Sequence, residues 1–278
     1  MRIYQKHRRN RILTGAPIGL VGGSGVAVGG GPQQWPVIEN FEGDTIGETG
    51  TDIIAKDTHF GARAGAAVRA EDYDTLNPSH DGRFDQCFAG AGDTNGPYTT
   101  VVVPEASGFI PSEGGEVILE ANLSVYGTGS QANFYFGSED DNDGFNVEVY
   151  GNSYHYVKTK TGGSWDGSWK IGPYGIALTP FLGEWICWQV KYRYSDNRVQ
   201  VRMFDLSNAT PAWDSGWVTI GTVSSPSFSA SKEHVRLTTA ARNNTGATCG
   251  LAQVRIAHFA TDGAGDGAAA THNYQVPS

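Results

Sequence analysis

The 278-residue sequence has no run of about 18 consecutive apolar residues, so nothing in it predicts a helix that spans a bilayer. Cysteine is scarce, because Cys87, Cys187 and Cys249 are the only three. They cannot all pair with one another, and they lack the close spacing of a metal knuckle. We therefore expect buried free thiols, with a disulfide as the open alternative.

The sequence also lacks the signatures of common catalytic sites. Its histidines form no metal-type pair at i and i+4. Glycoside hydrolysis needs two facing carboxylates, which jelly-roll glucanases place on one strand as Glu-x-Asp-x-x-Glu. Segments 42–44 and 139–141 begin this pattern, but Gly47 and Gly144 occupy its last position. We therefore predict a protein that is not an enzyme, and a hydrolase or lyase with other carboxylates stays the alternative.

No acidic residue precedes Glu39, whereas five basic residues lie in the first eleven positions: Arg2, Lys6, Arg8, Arg9 and Arg11. The formal charge of the chain is -9, and without these five residues 15 basic residues face 29 acidic ones, or -14. An acidic body of this kind repels nucleic acid and anionic membranes. Among these five charges Tyr4 is the single aromatic residue, and so few stacking rings disfavour nucleic acid as their partner.

Residues 1–36 form an extended arm that is basic at first and then rich in glycine. Positions 15–31 contain eight glycines and a proline, which is too flexible for the apolar helix of a secretory signal. Ordering such a segment costs about 1–2 kcal/mol per residue. We therefore expect neighbouring subunits of an assembly, most simply a homo-oligomer, to hold residues 1–31, and a flexible tail is the alternative.

The body of the chain repeats short runs in which apolar residues occupy every second position. In residues 116–126 they are Val117, Leu119, Ala121, Leu123 and Val125. Similar alternation recurs in 132–136, 145–149 and 186–194. A period of two predicts strands with one buried and one wet face, and hence an all-β fold of antiparallel sheets.

Segment 138–144 reads Ser-Glu-Asp-Asp-Asn-Asp-Gly between two such runs. Its Asn-Asp-Gly end favours a tight, solvated hairpin. Oxygen ligands at alternate positions also make a calcium site with Glu139, Asp141 and Asp143 an open alternative. The EF-hand pattern fails here, because Glu139 holds its first position and Tyr150 its last.

Two tryptophan pairs, 165–169 and 213–217, are each separated by three residues that include an aspartate. In an extended chain, residues four apart share a face, so each pair could present two indoles side by side to a sugar ring. The candidate glycan-binding residues are Trp165, Asp166, Trp169, Trp213, Asp214, Trp217 and Tyr154. The alternative is that these indoles cover sheet edges. Tyr150, Tyr154, His155 and Tyr156, around the turn at 151–152, form another expected polar-aromatic surface.

Several stretches together resemble the concanavalin A-like lectin and glucanase jelly roll in its laminin-G-like style. These stretches are 37–42, 115–127, 133–150, 183–194, 197–206 and 249–259. The resemblance implies an antiparallel β-sandwich over residues 37–262, with sugar or metal sites on loops at the rim. The arm (1–36) and a Gly/Ala-rich tail (263–278) lie outside it.

These features lead to two functional hypotheses. The first is a virion structural protein, such as a minor tail protein or a capsid decoration protein of a bacteriophage, docked by its arm and binding cell-surface polysaccharide. The second is a secreted, extracellular protein that binds or degrades carbohydrate. Calcium is the only cofactor that the sequence suggests.

Overall fold

A computed structural model describes residues 37–39, 41, 60–64, 66–70, 83–88, 97–104, 115–127, 129–138, 143–151, 155–170, 185–205, 211–220, 233–241, 246–259 and 262–263. These residues form strands and turns and no helix. Accordingly, the described ranges hold no helix long and apolar enough to cross a membrane. The arm predicted at 1–36 and the tail beyond residue 263 lie outside the described residues.

The described strands form two sheets. Sheet A contains β1 (Val37–Glu39), β3 (Ala67–Ala70), β4 (Arg83–Phe88), β6 (Glu116–Tyr126), β11 (Ile186–Arg193), β12 (Arg198–Asp205), β13 (Trp213–Asp214), β14 (Val218–Thr219) and β16 (Thr248–Phe259). Sheet B contains β2 (Phe60–Ala64), β5 (Tyr98–Pro104), β7 (Ser130–Ser138), β8 (Gly144–Tyr150), β9 (Tyr156–Thr161), β10 (Ser164–Lys170) and β15 (Glu233–Ala241).

Every described strand pair is antiparallel. Sheet A has the order β13-β12-β11-β6-β16-β4-β3, and sheet B has the order β10-β9-β8-β7-β15-β5-β2. The late strand β16 lies between β4 and β6, and β15 lies between β5 and β7. The two sheets pack face to face, which confirms the predicted antiparallel β-sandwich.

The alternating runs correspond to strands. The run at residues 116–126 is β6, and the acidic segment 138–144 joins β7 to β8 in an antiparallel hairpin. The residues that resemble the opening and closing segments of the jelly roll also pair, since Val37 of β1 lies opposite Arg255 of β16.

The apolar phase of each strand faces the space between the sheets. Phe136 and Phe145 stack there with ring centres 4.8 Å apart, and Tyr192 from sheet A lies 4.8 Å from Phe145. Leu119 and Val190 are completely buried in the same cluster. Burial of this apolar surface is the main source of stability for such a sandwich.

The prediction that the polar phase is wet is wrong for the centre of sheet A. On its outer face Glu116 and Lys191 are fully buried, with Nζ 3.4 Å from Oε2. One row further, Gln189 donates from Nε2 to Oε2 of Glu120 at 2.7 Å, and both side chains are buried. The reason is that charged and polar groups of adjacent strands pair with one another, which offsets part of the cost of burying them.

All three cysteines are free and buried, as predicted from their scarcity and spacing. Cys87 of β4 lies directly opposite Cys249 of β16, and both belong to the central core. Burial raises the pKa of the Cys249 thiol well above its ordinary value. Both cysteines therefore serve as small core residues in this structure.

Candidate functional site

The outer face of sheet B carries a polar and aromatic cluster. Five side chains form it: Asn146, Glu148 and Tyr150 on β8, and Tyr156 and Lys158 on β9. We call this cluster the sheet-B face. Residues at every second position of a strand share a face, and the registers place Asn146 opposite Lys158 and Glu148 opposite Tyr156. Two adjacent strands thus bring all five side chains together.

The carboxylate of Glu148 is the centre of this cluster. The ammonium of Lys158 lies 2.7 Å from Oε2, and the hydroxyl of Tyr150 donates to the same oxygen at 2.6 Å. Nδ2 of Asn146 donates to Oε1 at 3.4 Å. Three donors therefore fix the position of a carboxylate that is itself largely buried.

The same face contains hydrogen-bond acceptors that have no partner among the described residues. Oδ1 of Asn146 is buried and accepts no hydrogen bond from the described part of the chain. Oδ1 of Asn133 is in the same situation, and Asn133 lies directly opposite Glu148 in the ladder of β7 and β8. A buried acceptor without a partner costs about 1–3 kcal/mol, so a ligand that reached either oxygen through a shift of the amide would gain a hydrogen bond there.

Aromatic rings and cations complete the surface. Tyr150 and Tyr156 meet edge to face with ring centres 6.1 Å apart, and the Lys158 ammonium lies 5.8 Å from the centre of the Tyr156 ring. Further along β9, Lys160 lies over the ring of Trp165 at 5.4 Å. Trp165 is one of the most exposed large apolar side chains among the described residues, at 52%. The face therefore combines flat apolar rings with charged and neutral hydrogen-bonding groups.

Sequence reasoning named Tyr150 and Tyr156 as part of a polar-aromatic surface but missed Asn146, Glu148 and Lys158. The available signal was the polar phase of β8 and β9, whose alternate positions carry these residues. His155, named for the same surface, is instead fully buried. Its Nδ1 accepts a hydrogen bond from the backbone N–H of Tyr150 at 3.4 Å.

The backbone register separates the two positions of the first tryptophan pair. The ladder pairs Trp165 with Lys160 and shifts by one residue before Gly167, so that Trp169 is paired with Val157. Positions 160 and 157 are three apart on β9 and therefore face opposite sides of the sheet. Positions 165 and 169 are thus on opposite faces, because the β-bulge inserts an extra residue between them.

The second tryptophan pair is also divided between two faces. Trp213 pairs with Met203 of the core and packs against the central cluster. The ring of Trp217 covers two cations of the opposite face, 4.9 Å from the buried Lys191 ammonium and 4.3 Å from the partly exposed Arg193 guanidinium. The expected side-by-side arrangement is therefore wrong for the second pair, the register of β9 and β10 disfavours it for the first, and glycan binding by these residues stays a prediction.

Asp214 between these tryptophans is exposed and engaged within its own chain. Both of its carboxylate oxygens accept a hydrogen bond from Nε2 of Gln200 at 3.0 Å, and Oδ1 accepts another from the backbone N–H of Gly216 at 2.7 Å. These contacts shape the turn after β13, where Gly216 has a positive φ of 63°.

Asp143 is the described member of the predicted calcium site. Its Oδ1 accepts from the backbone N–H of Gly162 at 2.9 Å, and its carbonyl accepts from the hydroxyl of Tyr135 at 2.9 Å. These bonds tie the β7–β8 hairpin to the β9–β10 turn. The described residues contain no group of three side chains able to hold a metal ion, and the calcium site stays a prediction.

The other predicted site residues lie outside the described residues or side chains. They are Glu139 and Asp141 of the metal site, Tyr154, the side chains of Asp166 and Trp169, and Arg2, Lys6, Arg8, Arg9 and Arg11 of the arm.

No protein-family model and no curated protein matches the sequence. Several solved structures are similar to parts of this chain. One is botulinum neurotoxin type C, whose cell entry depends on interaction with two ganglioside molecules. The two chains are 10% identical, with a TM-score of 0.45 over 76% of this chain and 46% of that chain. The binding domain of botulinum neurotoxin DC, solved with rat synaptotagmin II, has 10% identity and a TM-score of 0.43 over 72% and 44%. An uncharacterized protein from Mycobacterium paratuberculosis has 14% identity and a TM-score of 0.44 over 78% and 98%. This chain therefore spans less than half the length of both neurotoxin chains, and similarity at this level says nothing about function.

Proposed function

We propose that the sheet-B face binds glycans and that this chain is a binding protein rather than an enzyme. The observation that carries the proposal is the fixed Glu148 carboxylate beside two tyrosine rings and the buried, unused amide oxygen of Asn146. Sugar hydroxyls both donate and accept hydrogen bonds, and the C–H faces of sugar rings stack on aromatic rings. Sugars therefore match the Glu148 carboxylate, the two tyrosine rings and the amide oxygen of Asn146.

The charges on this face favour acidic sugars. Lys158, Lys160 and Arg236 share the outer face with Glu148, although the whole chain has a formal charge of -9. A locally cationic surface on an acidic protein attracts carboxylates selectively. We therefore expect uronic or sialic acid residues to bind more tightly than their neutral counterparts.

The same face argues against hydrolysis as its activity. Among the described side chains in the strand rows of this face, Glu148 is the carboxylate, whereas glycoside hydrolysis needs two across the scissile bond. Lys158 and Tyr150 already occupy Oε2 of Glu148. A bound oligosaccharide should therefore be recovered intact.

Calorimetric titration of the full chain tests this proposal. The probes are 3′-sialyllactose and trigalacturonate, with lactose as the neutral comparison. Tyr156→Ala should weaken binding of both acidic probes about tenfold through the lost ring contact. Lys160→Gln should narrow the difference between acidic and neutral sugars. The matched control is Tyr98→Ala on β5, three strands from β8, which should bind like the wild type.

Two results would overturn the proposal. One is the absence of binding to every probe at millimolar concentration, and the other is unchanged affinity in Tyr156→Ala. Release of reducing ends from the probes by the wild-type protein would overturn its non-enzymatic part.

We further propose that this binding domain belongs to a virion surface component, docked through residues 1–31. The basic, Gly-rich sequence of the arm supports this placement. A chain without residues 1–31 should fold and bind sugar but fail to incorporate into particles, and normal incorporation would contradict the docking role.

A further inference from the structure

A second group of exposed aromatic residues lies on the outer face of sheet A, at one end of three adjacent strands. Thr248 at the start of β16 pairs with Phe88 at the end of β4 on one side and with Tyr126 at the end of β6 on the other. Both rings are 52% exposed. Two strand spacings of about 4.8 Å separate their strands, with the Thr248 position between them.

The neighbouring row of the same face continues this surface. Gly250 lies between Gln86 and Ser124 in the ladder, two residues from Thr248 on β16. A Cβ atom on Gly250 would lie 2.8 Å from Cη2 of Trp185, so the indole covers the backbone at a position that only glycine leaves open.

The indole of Trp185 is held in place from below. Its ring meets Phe84 edge to face with centres 5.0 Å apart, and it packs against a small apolar cluster that includes Phe204. Trp185 nevertheless stays partly exposed. It is therefore a rigid aromatic surface next to the exposed rings of Phe88 and Tyr126.

We define the sheet-A patch as three aromatic and three neutral polar residues: Phe88, Tyr126, Trp185, Gln86, Ser124 and Thr248. None of the six carries a charge, in contrast to the cationic sheet-B face. A nucleic acid or an anionic membrane needs cations, and the patch supplies none. Flat rings interspersed with hydroxyl and amide groups suit an uncharged ligand that is apolar on its ring faces and hydroxylated at its edges.

The area of the patch also distinguishes between partners. An aromatic side chain buries about 150–250 Å². Phe88 and Tyr126 are about half covered already and Trp185 more than half, so the three offer less than about 300 Å². A stable protein interface needs about 800 Å² on each partner. A second copy of this chain is therefore a poor match, whereas a single polysaccharide strand is a good one.

We propose that the sheet-A patch is a second glycan site, which takes a neutral hexose polymer lying across β4, β16 and β6. Phe88, Tyr126 and Trp185 stack on sugar rings, while Gln86, Ser124 and Thr248 bond to hydroxyls. The site differs from the sheet-B face in sheet, residues and ligand charge, so neither proposal depends on the other.

Affinity gel electrophoresis of the full chain in laminarin, mannan, dextran and hydroxyethyl cellulose tests the site, with polygalacturonate as the acidic comparison. At least one neutral polymer should retard the wild type. Phe88→Ala and Tyr126→Ala should each weaken that retardation about tenfold, and the double variant should abolish it. Tyr126→Phe keeps the ring and should bind nearly as well as the wild type.

Tyr98→Ala is the matched control, because Tyr98 lies on β5 of sheet B, belongs to neither proposed site, and should leave neutral-polymer binding unchanged. Thermal unfolding of each variant checks that the fold persists. The proposal is overturned if no neutral polymer retards the wild type, or if the Phe88→Ala/Tyr126→Ala variant migrates like it. Sedimentation that shows a dimer dissolved by this double variant would also overturn it, since the patch would then be a self-interface.

Discussion

The imidazole of His155 meets the indole of Trp188 edge to face, with 5.0 Å between the ring centres and an angle of 77° between the planes. His155 precedes β9 of sheet B, whereas Trp188 lies on β11 of sheet A, so this contact joins the two layers. Nδ1 of His155 accepts from the backbone N–H of Tyr150, and its buried Nε2 has no hydrogen-bond partner in the described part of the chain. The imidazole is therefore in an environment suited to its neutral form.

This burial predicts a loss of stability in acid. Desolvation lowers the pKa of His155 from 6.5 to about 4. The unfolded chain therefore binds a proton here below about pH 6.5, while the folded chain does so only below about pH 4. Above pH 6.5 protonation of His155 does not lower the free energy of unfolding. As the pH falls from 6.5 to 4, the free energy of unfolding decreases by about 3 kcal/mol through this residue.

Urea unfolding between pH 4 and pH 7.5 measures this loss. His155→Phe keeps an aromatic ring and His155→Asn keeps a hydrogen-bond acceptor, but neither variant titrates. Both should start from a lower stability at pH 7.5 and show a flatter dependence on pH than the wild type. An unchanged slope in both variants would show that other groups cause the acid sensitivity.

The separation of the tryptophans predicts that they have different roles. Trp217→Ala should destabilise the fold by about 2 kcal/mol, because it removes a ring that covers Lys191 and Arg193. Trp165→Ala should change stability by less than about 0.5 kcal/mol, since its ring is half exposed. Trp165→Ala should instead weaken sugar binding next to the sheet-B face. Equal destabilisation by both changes in urea unfolding would contradict this separation.

Much of the fold could be predicted from the period of the apolar residues, which marks β6 at its observed bounds and the strands on both sides of the acidic hairpin. The burial of polar side chains on the outer face of sheet A could not be predicted from this period. The alternation within β6 predicts that Glu116 is exposed to solvent. Its partner Lys191 lies 75 positions later in the sequence, on β11. Which strands are neighbours decides whether such charges satisfy one another, and local alternation does not contain that information.

The faces on which the tryptophan positions lie were not predicted from the sequence, for a related reason. A spacing of four predicts a shared face only in a regular strand, and a single bulge after Trp165 reverses the relation. Tyr126 was also missed, although the sequence held a signal for it: it falls on the polar phase of β6 and is followed by a glycine. An aromatic residue in the wet phase of a strand was therefore the better signal for an exposed ring.

Two turn glycines, Gly151 after β8 and Gly162 after β9, are packed very differently, so we expect them to respond unequally to replacement by alanine. A Cβ atom on Gly151 would clash with Oγ of Ser130 and lie 2.7 Å from the carbonyl oxygen of Gly127. Gly162 has a positive φ of 56° and open space around it. Gly151→Ala should therefore cost about 3 kcal/mol from overpacking, and Gly162→Ala about 1 kcal/mol from backbone strain. Urea unfolding should show this order, and the reverse order would contradict the packing of the two turns.

The buried ion pair of sheet A predicts a non-additive response to its removal. Glu116→Gln leaves the fully buried ammonium of Lys191 without its carboxylate, while the amide oxygen can still accept from the N–H of Gly263. Loss of one partner of a buried pair costs about 3–5 kcal/mol, whereas replacing both partners by neutral groups is often much less harmful. Glu116→Gln/Lys191→Met should therefore be more stable than Glu116→Gln alone, as measured by urea unfolding at pH 7.5. Additive losses in this double-mutant cycle would show that the two side chains do not stabilise each other.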